Sequence, residues 1–351
     1  MRAIRIATAL FLAPALLQTP PVRAQDVQYE TMTRLNFPGA MGTMMRAAAK
    51  LGGGSLDVVE KTYIKGARMR TDLDETSTIM DLEGKRFISL DHDRKTYTAM
   101  TFEQLAVQAQ AAAAQLKDER SKAGQQGGET QVKFRFSVDA TDQREKVSGY
   151  DATRHFLTME MESKYTPEGQ TQQEEGGTLV LLTDLWAAKD VPTMQPLKAF
   201  EGESAKEMAN AQAGITKAIA LAFADEPNVE VAFEQSVKEA QKIQGTPLRT
   251  TVYFVAVAPE KKFDRELATA EKPKSGGVLK AAGKGVLGGL AGRLGKKQEE
   301  PAQAEEATQG TILTVTTETR NISTKPVDPK LFEIPAGYKE VKFEDIMKAA
   351  K

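Results

Sequence analysis

The residue types that most often carry out catalysis or bind metals are scarce in this chain. It has no cysteine and two histidines, His92 and His155, whereas structural zinc sites are usually built from cysteine and histidine. A Gly-x-Ser-x-Gly nucleophile turn is also absent. Pairs of carboxylates are inevitable among 48 acidic residues and indicate no glycosidase on their own. We therefore predict a protein that is not an enzyme and has neither a metal site nor a cofactor.

Asp91-His92-Asp93 is the one short cluster with metal-ligand chemistry. Two carboxylates beside an imidazole could hold a divalent cation at a hairpin tip, but the same residues also make an ordinary solvated polar turn. The solvated turn is the preferred interpretation. His155 falls in a strand-like run and is predicted to lie on the surface of a sheet.

Gly283-Lys284-Gly285-Val286-Leu287-Gly288 matches the dinucleotide-binding pattern. That pattern works only where it directly follows a buried strand and opens a helix whose first amides hold a pyrophosphate. Here the preceding residues 271–275 are a Lys/Pro-rich linker, and no alternation of strands and helices surrounds them. The match is therefore attributed to the Gly-rich composition, and no nucleotide is expected.

Residues 1–24 are predicted to be a cleavable signal peptide. Arg2 and Arg5 form a positive start, residues 6–17 form an apolar stretch too short to span a bilayer, and a Pro-containing segment ends at Ala24. With no cysteine, the exported protein is expected to carry neither a lipid anchor nor disulfides. A periplasmic or secreted location follows, and the sequence does not distinguish the two.

The charge of the chain is nearly balanced. Residues 1–24 hold three of the 47 Lys and Arg and none of the acidic residues, which leaves 44 basic against 48 acidic residues. Such a chain has no strong field with which to attract nucleic acid.

Apolar and polar residues alternate with period two between Ser55 and Met100, for example in 68–73 and 87–91. Turn residues such as Lys65-Gly66 separate these runs, which predicts a meander of antiparallel strands. Residues 101–120 change to a helical, Ala/Gln-rich pattern, and strands resume after Gly128. We predict an α+β fold in which helices pack on one side of a large curved antiparallel sheet. Residues 25–351 then form a single domain.

Two segments are predicted to be flexible insertions, 38–54 and 259–309. Within the second, 276–297 is rich in glycine and would be amphipathic if helical, but each interior glycine costs about 1 kcal/mol relative to alanine. It is either a flexible surface loop or a segment that folds against a membrane or partner. The candidate contact residues are its basic side chains, Lys280, Lys284, Arg293, Lys296 and Lys297.

Several stretches resemble a bacterial family of secreted proteins of unknown function. They are Thr62–Asp72 (TYIKGARMRTD), Ile79-Met80-Asp81, Lys95-Thr96-Tyr97-Thr98, Leu185-Trp186 at the end of a strand, and the closing Phe332–Tyr338 (FEIPAGY). Together they bracket most of the mature chain. The family's sheet is similar to that of periplasmic lipoprotein carriers of the LolA/LolB type. The resemblance implies an incomplete antiparallel barrel around helices, with an apolar cavity for acyl chains, and supplies no site residues.

Two functions are consistent with these observations. The first is a non-enzymatic carrier that binds lipid or lipoprotein acyl chains in an apolar groove. From alternation alone, its lining candidates are Met69, Ile88, Leu90, Phe134, Phe136, Met159 and Met161, although the same residues could form a closed core. The second is an envelope-associated structural or interaction protein whose insertion, 276–297, docks to a membrane or partner.

Overall fold

A computed structural model describes residues 26–51, 55–111, 114, 129–166, 174–209, 238–270 and 308–342. The predicted signal peptide and the five basic contact candidates of 276–297 lie outside these residues. Among the helices of the described part, none combines the length and apolar character needed to cross a bilayer.

The described chain is mostly a single sheet. Its strands are β1 Val27–Asn36, β2 Asp57–Lys65, β3 Arg68–Leu73, β4 Thr76–Asp81, β5 Arg86–Asp91, β6 Thr96–Thr101, β7 Glu129–Val147, β8 Tyr150–Thr166, β9 Glu174–Ala188, β10 Thr246–Val257, β11 Gln309–Ser323 and β12 Lys339–Glu340. They are ordered β12-β6-β5-β4-β3-β2-β1-β11-β10-β9-β8-β7. Neighbours are antiparallel except β12, which pairs with β6 in parallel. The predicted antiparallel sheet is confirmed.

The meander β2–β6 follows from local sequence. Between β2 and β3 the turn contains Gly66, whose φ of 58° is free of strain only for glycine. Similar tight turns follow β3, β4 and β5, at Asp74, Lys85 and Lys95, each with a positive φ. Short turns leave each strand only its neighbour to pair with, so order and direction are locally determined.

The helices that accompany the sheet in the described residues include α1 Gly39–Leu51, α2 over residues 102–111, α3 Gln195–Glu207 and α4 Arg265–Thr269. Residues 238–240 are also helical, and short 3-10 helices cover Pro192–Met194 and Pro329–Phe332. α1 lies within 38–54, the segment predicted to be a flexible insertion, and its alanines and methionines favour helix. Within the other predicted insertion, α4 begins at Asp264, whose carboxylate accepts from the amides of Glu266 and Leu267.

The sheet has two faces, which the register of the strands defines. On one, here called the α3 face, Val27, Ile64 and Met80 form a buried core with Phe200 of α3. On the other, the opposite face, two cores are covered differently. Ile79, Ile88 and Leu90 lie beneath Val327 and Phe332 of the C-terminal segment, and Val180, Leu182, Val255 and Val257 pack against Ala268 of α4. We predicted that helices pack on one side of the sheet. This is correct for α3, whereas α4 packs on the opposite face.

Candidate functional site

Apolar side chains form three cross-strand rows on the α3 face of β7–β11. In the middle row Phe136 is opposite Met159, which is opposite Leu181, then Phe254 and Leu313. The row on one side continues onto β1. Its members are Val138, Leu157, Thr183, Val252, Val315 and Leu35. The row on the other side contains Phe134, Met161, Leu179 and Ala256. We call these the apolar rows.

The apolar rows are not a closed core. Apart from Ala256, their members are half-buried, and none of them belongs to the three buried clusters. On the opposite face of the same strands Val180, Leu182 and Val255 are 0 % exposed. The two sides of one set of strands therefore differ: one is sealed, and the other keeps apolar surface in contact with solvent. Apolar surface left open in this way is typical of a binding surface.

The apolar rows are long enough to receive an acyl chain. The longest row, from Val138 on β7 to Leu35 on β1, crosses six adjacent strands, whose five spacings of about 4.8 Å make about 24 Å. One leaflet of a bilayer's hydrocarbon core is about 15 Å thick. A single extended chain therefore fits along the rows.

The structure separates the seven predicted lining residues. Phe134, Phe136, Met159 and Met161 all lie in the apolar rows. Met69 shares their face but lies at a distance along the sheet, packed against the first core. Ile88 and Leu90 point to the opposite face and are 3 % and 0 % exposed beneath the C-terminal segment. These two cannot line a groove with the others, because a sheet separates them.

Acidic side chains also face the α3 side. Burial raises the pKa of Glu60 on β2 and of Glu201 on α3, and both carboxylates raise the pKa of the Tyr29 hydroxyl, whose largest shift comes from its own burial. Glu201 nevertheless reaches solvent, so its shift carries no stability argument. Glu60 is half-buried and has no ion pair with another described residue.

We expect Glu60→Gln to raise the urea midpoint at about pH 8 and to leave it nearly unchanged at about pH 4. A raised pKa means that the folded state keeps the proton to higher pH than the unfolded chain. Stability is then full while both states are protonated and falls as pH rises through the folded pKa. The uncharged side chain of the glutamine variant mimics the protonated form of Glu60. Equal effects at both pH values would contradict this expectation, and exposed Glu83→Gln is the matched control.

A buried polar network that the sequence did not predict lies on the opposite face. The guanidinium of Arg70 donates to Asp72 Oδ1 at 2.6 Å, to Ser77 Oγ at 2.8 Å and to the carbonyl oxygen of Leu331 at 2.6 Å. The Leu331 contact joins β3 to the C-terminal segment. Arg70 is 8 % exposed and Ser77 2 %.

His92 extends this network to Tyr338. Ser77 Oγ donates its single proton to Asp72 Oδ1 at 2.6 Å, so His92 Nε2 is the donor in its 2.6 Å contact with Ser77. Nδ1 then accepts from the Tyr338 hydroxyl, also at 2.6 Å. The preferred interpretation of Asp91-His92-Asp93 as a solvated turn is therefore incomplete. The network ties β3 and β4 to the C-terminal segment through Leu331 and Tyr338.

His155 lies half-buried on β8, and burial, followed by the charge of Lys189, lowers its pKa. Within the described residues no group of three or more His, Asp or Glu side chains could hold a metal ion.

Two cavities lie at the edges of β1. One, of about 290 Å³, is polar and includes Lys61 and Asn321, which both approach Glu30. The other, of about 410 Å³, lies where β1 ends, α1 runs and β2 begins.

Comparison with models of known protein families found no match, and comparison with curated proteins found none either. The described residues form a large, mainly antiparallel sheet whose apolar side chains on β8–β10 are sealed on one side and half-buried on the other.

Proposed function

We propose that the protein is a non-enzymatic exported protein that binds lipid or lipoprotein acyl chains along the apolar rows. In this proposal the sheet curves into an incomplete barrel of the LolA type, with the rows on its inner side. The observation that carries it is the contrast between the two faces. Val180 and Leu182 are sealed in a core, whereas Met159 and Leu181, on the same two strands, remain half-buried.

Energetics favour an apolar occupant. Fully burying a side chain such as Phe or Met is worth about 1.5–3 kcal/mol, and the middle row alone holds five large apolar side chains that are only partly covered. Covering what remains exposed needs a ligand with no hydrogen-bonding demand along its length. An acyl chain has this chemistry, whereas a peptide or glycan would leave polar groups unpaired.

The proposal is tested by native mass spectrometry of protein purified from its own envelope, together with titration of an acyl-chain fluorophore. Co-purified lipid and saturable uptake are expected. Apoprotein alone, with no uptake of the fluorophore, would refute the proposal.

A matched pair of variants locates the binding. We expect Phe136→Asp to weaken uptake at least about tenfold, because a charge replaces an apolar contact worth about 1.5–3 kcal/mol. Ser137→Asp adds the same charge one residue along β7, where the side chain is exposed on the opposite face, and should leave uptake unchanged. Equal losses in both variants would place binding elsewhere.

A further inference from the structure

The cavity at the end of β1 combines apolar and cationic walls. It has a volume of about 410 Å³, and its lining includes Leu35, Leu56 and Ala49, together with Arg34 and Arg46. Leu35 is the last member of an apolar row, opposite Val315. The cavity is therefore continuous with the surface to which the acyl chain is assigned.

The two arginines differ in whether a carboxylate neutralises their charge. Arg34 faces Asp57 on the adjacent strand, and its Nε lies 3.3 Å from the carboxylate. Arg46 projects from α1, is exposed, and has no carboxylate partner among the residues that the structure describes. Gly42 packs directly against the carbonyl of Phe37, which would clash with a β-carbon at this position, and Arg46 Nη1 lies 3.2 Å from where that β-carbon would be. The three charged residues sum to one positive charge.

Resting on the proposed function, we propose that this cavity receives the carboxylate of a long-chain fatty acid, with Arg46 as its ion-pair partner and the chain running from Leu35 along the apolar rows. A planar guanidinium matches a carboxylate in a two-point hydrogen bond. One negative charge balances the net charge of the cavity. A neutral lipid headgroup would leave Arg46 unpaired.

The test compares binding of palmitate, monopalmitoylglycerol and lysophosphatidylglycerol to the full mature protein and to two variants. Arg46→Gln should weaken palmitate binding about fivefold, the upper end for an exposed ion pair, without changing monopalmitoylglycerol binding. Arg94→Gln is the control, because Arg94 is exposed on the β5–β6 turn and its one ion pair within the described part of the chain is with Asp91. Carboxyl-¹³C palmitate should also show a lower carboxyl pKa bound to wild type than bound to Arg46→Gln.

The outcomes separate the two proposals. If palmitate and monopalmitoylglycerol bind wild type and Arg46→Gln equally, the headgroup cavity is refuted while the groove stands. If lysophosphatidylglycerol binds more tightly than palmitate, the cavity prefers a phosphate to a carboxylate, and the assignment to a fatty acid is refuted. If none of the three ligands binds wild type, the groove itself is refuted.

Discussion

Replacing Arg70 with methionine is expected to lower the free energy of unfolding by about 3 kcal/mol, because removing one partner of a buried ion pair leaves the other uncompensated. Arg70 is 8 % exposed and holds Asp72, Ser77 and the carbonyl of Leu331 at once. Asp72 is partly hydrated, which keeps the expected loss at the lower end of the range for such pairs.

Urea unfolding followed by the fluorescence of Trp186, the only tryptophan, measures this loss. Arg94→Gln, on an exposed turn, should change the free energy by less than about 0.5 kcal/mol. Tyr338→Phe removes only the hydroxyl that His92 accepts from, so it should cost about 1 kcal/mol. If Arg70→Met costs no more than Arg94→Gln, the C-terminal segment is not held by this network.

The sheet could be predicted from sequence wherever the residues that determine strand pairing lie close together in the chain. In β2–β6 each strand alternates and each turn is short, so pairing partners follow from neighbours in the chain. The helix α1 was not predicted, because the Gly/Ala/Met-rich composition of 38–54 was interpreted as a flexible insertion, although alanine and methionine in Gly39–Leu51 favour helix.

Which face a side chain occupies was harder to predict. Alternation shows that Ile88 and Leu90 share a face within β5, but relating that face to Met69 on β3 requires the register across β4. That register places Met69 opposite Met80 and Met80 opposite Phe87, so Ile88 falls on the other side. The four candidates from β7 and β8 did share a face, because two adjacent strands need only one register.

Long-range contacts left no local signal. His92 and Tyr338 are separated by 246 residues, and their hydrogen bond depends on how the C-terminal segment crosses β3–β6. The sequence offered a hint only through the closing Phe332–Tyr338, one of the stretches that carry the family resemblance. Phe332 is buried against Ile79, Ile88 and Leu90, so the ending covers the sheet.

The asymmetry of β7–β10 links stability to the proposed function. One face can remain open only if the other supplies enough contacts to hold these long strands in place. On the opposite face this is done by the buried core around Leu182. A stack of arginines and aromatic rings adds to it, in which Phe156 belongs to that core and Trp186 packs with the core that contains Val27 and Phe200. Substitutions there should affect stability, and substitutions in the apolar rows should affect binding.

The stack alternates cations and rings across β8–β10 and α4. The Cζ atoms of Arg265 and Arg154 each lie 4.5 Å from the ring centre of Phe156, and those of Arg154 and Arg249 lie 5.6 and 5.0 Å from that of Trp186. The carboxylate of Asp184 neutralises Arg154 at 2.6 Å. Arg154 donates hydrogen bonds to Asp184, and Arg249 donates to Glu145. These bonds raise the pKa of both guanidinium groups, so both stay charged.

Trp186→Ala is therefore expected to lower the free energy of unfolding by about 4 kcal/mol, since a buried Trp or Phe reduced to alanine typically costs 3–5 kcal/mol. Trp186 is 8 % exposed, and both arginines would lose a ring. Trp186→Phe keeps an aromatic face and should cost less than half as much. Because both variants lack the fluorophore, far-ultraviolet circular dichroism in urea is the measurement.

Val59→Ala provides the matched control, since Val59 is 45 % exposed on β2 of the same face and should change the free energy by less than about 0.5 kcal/mol. The stack predicts a further distinction: acyl-chain affinity of Trp186→Phe should equal that of wild type, because Trp186 is not a member of the apolar rows and alternation along β9 directs it away from Leu181 and Thr183. A loss of affinity as large as that of Phe136→Asp would mean that the two faces are coupled, and the division between a sealed side and a binding side would fail.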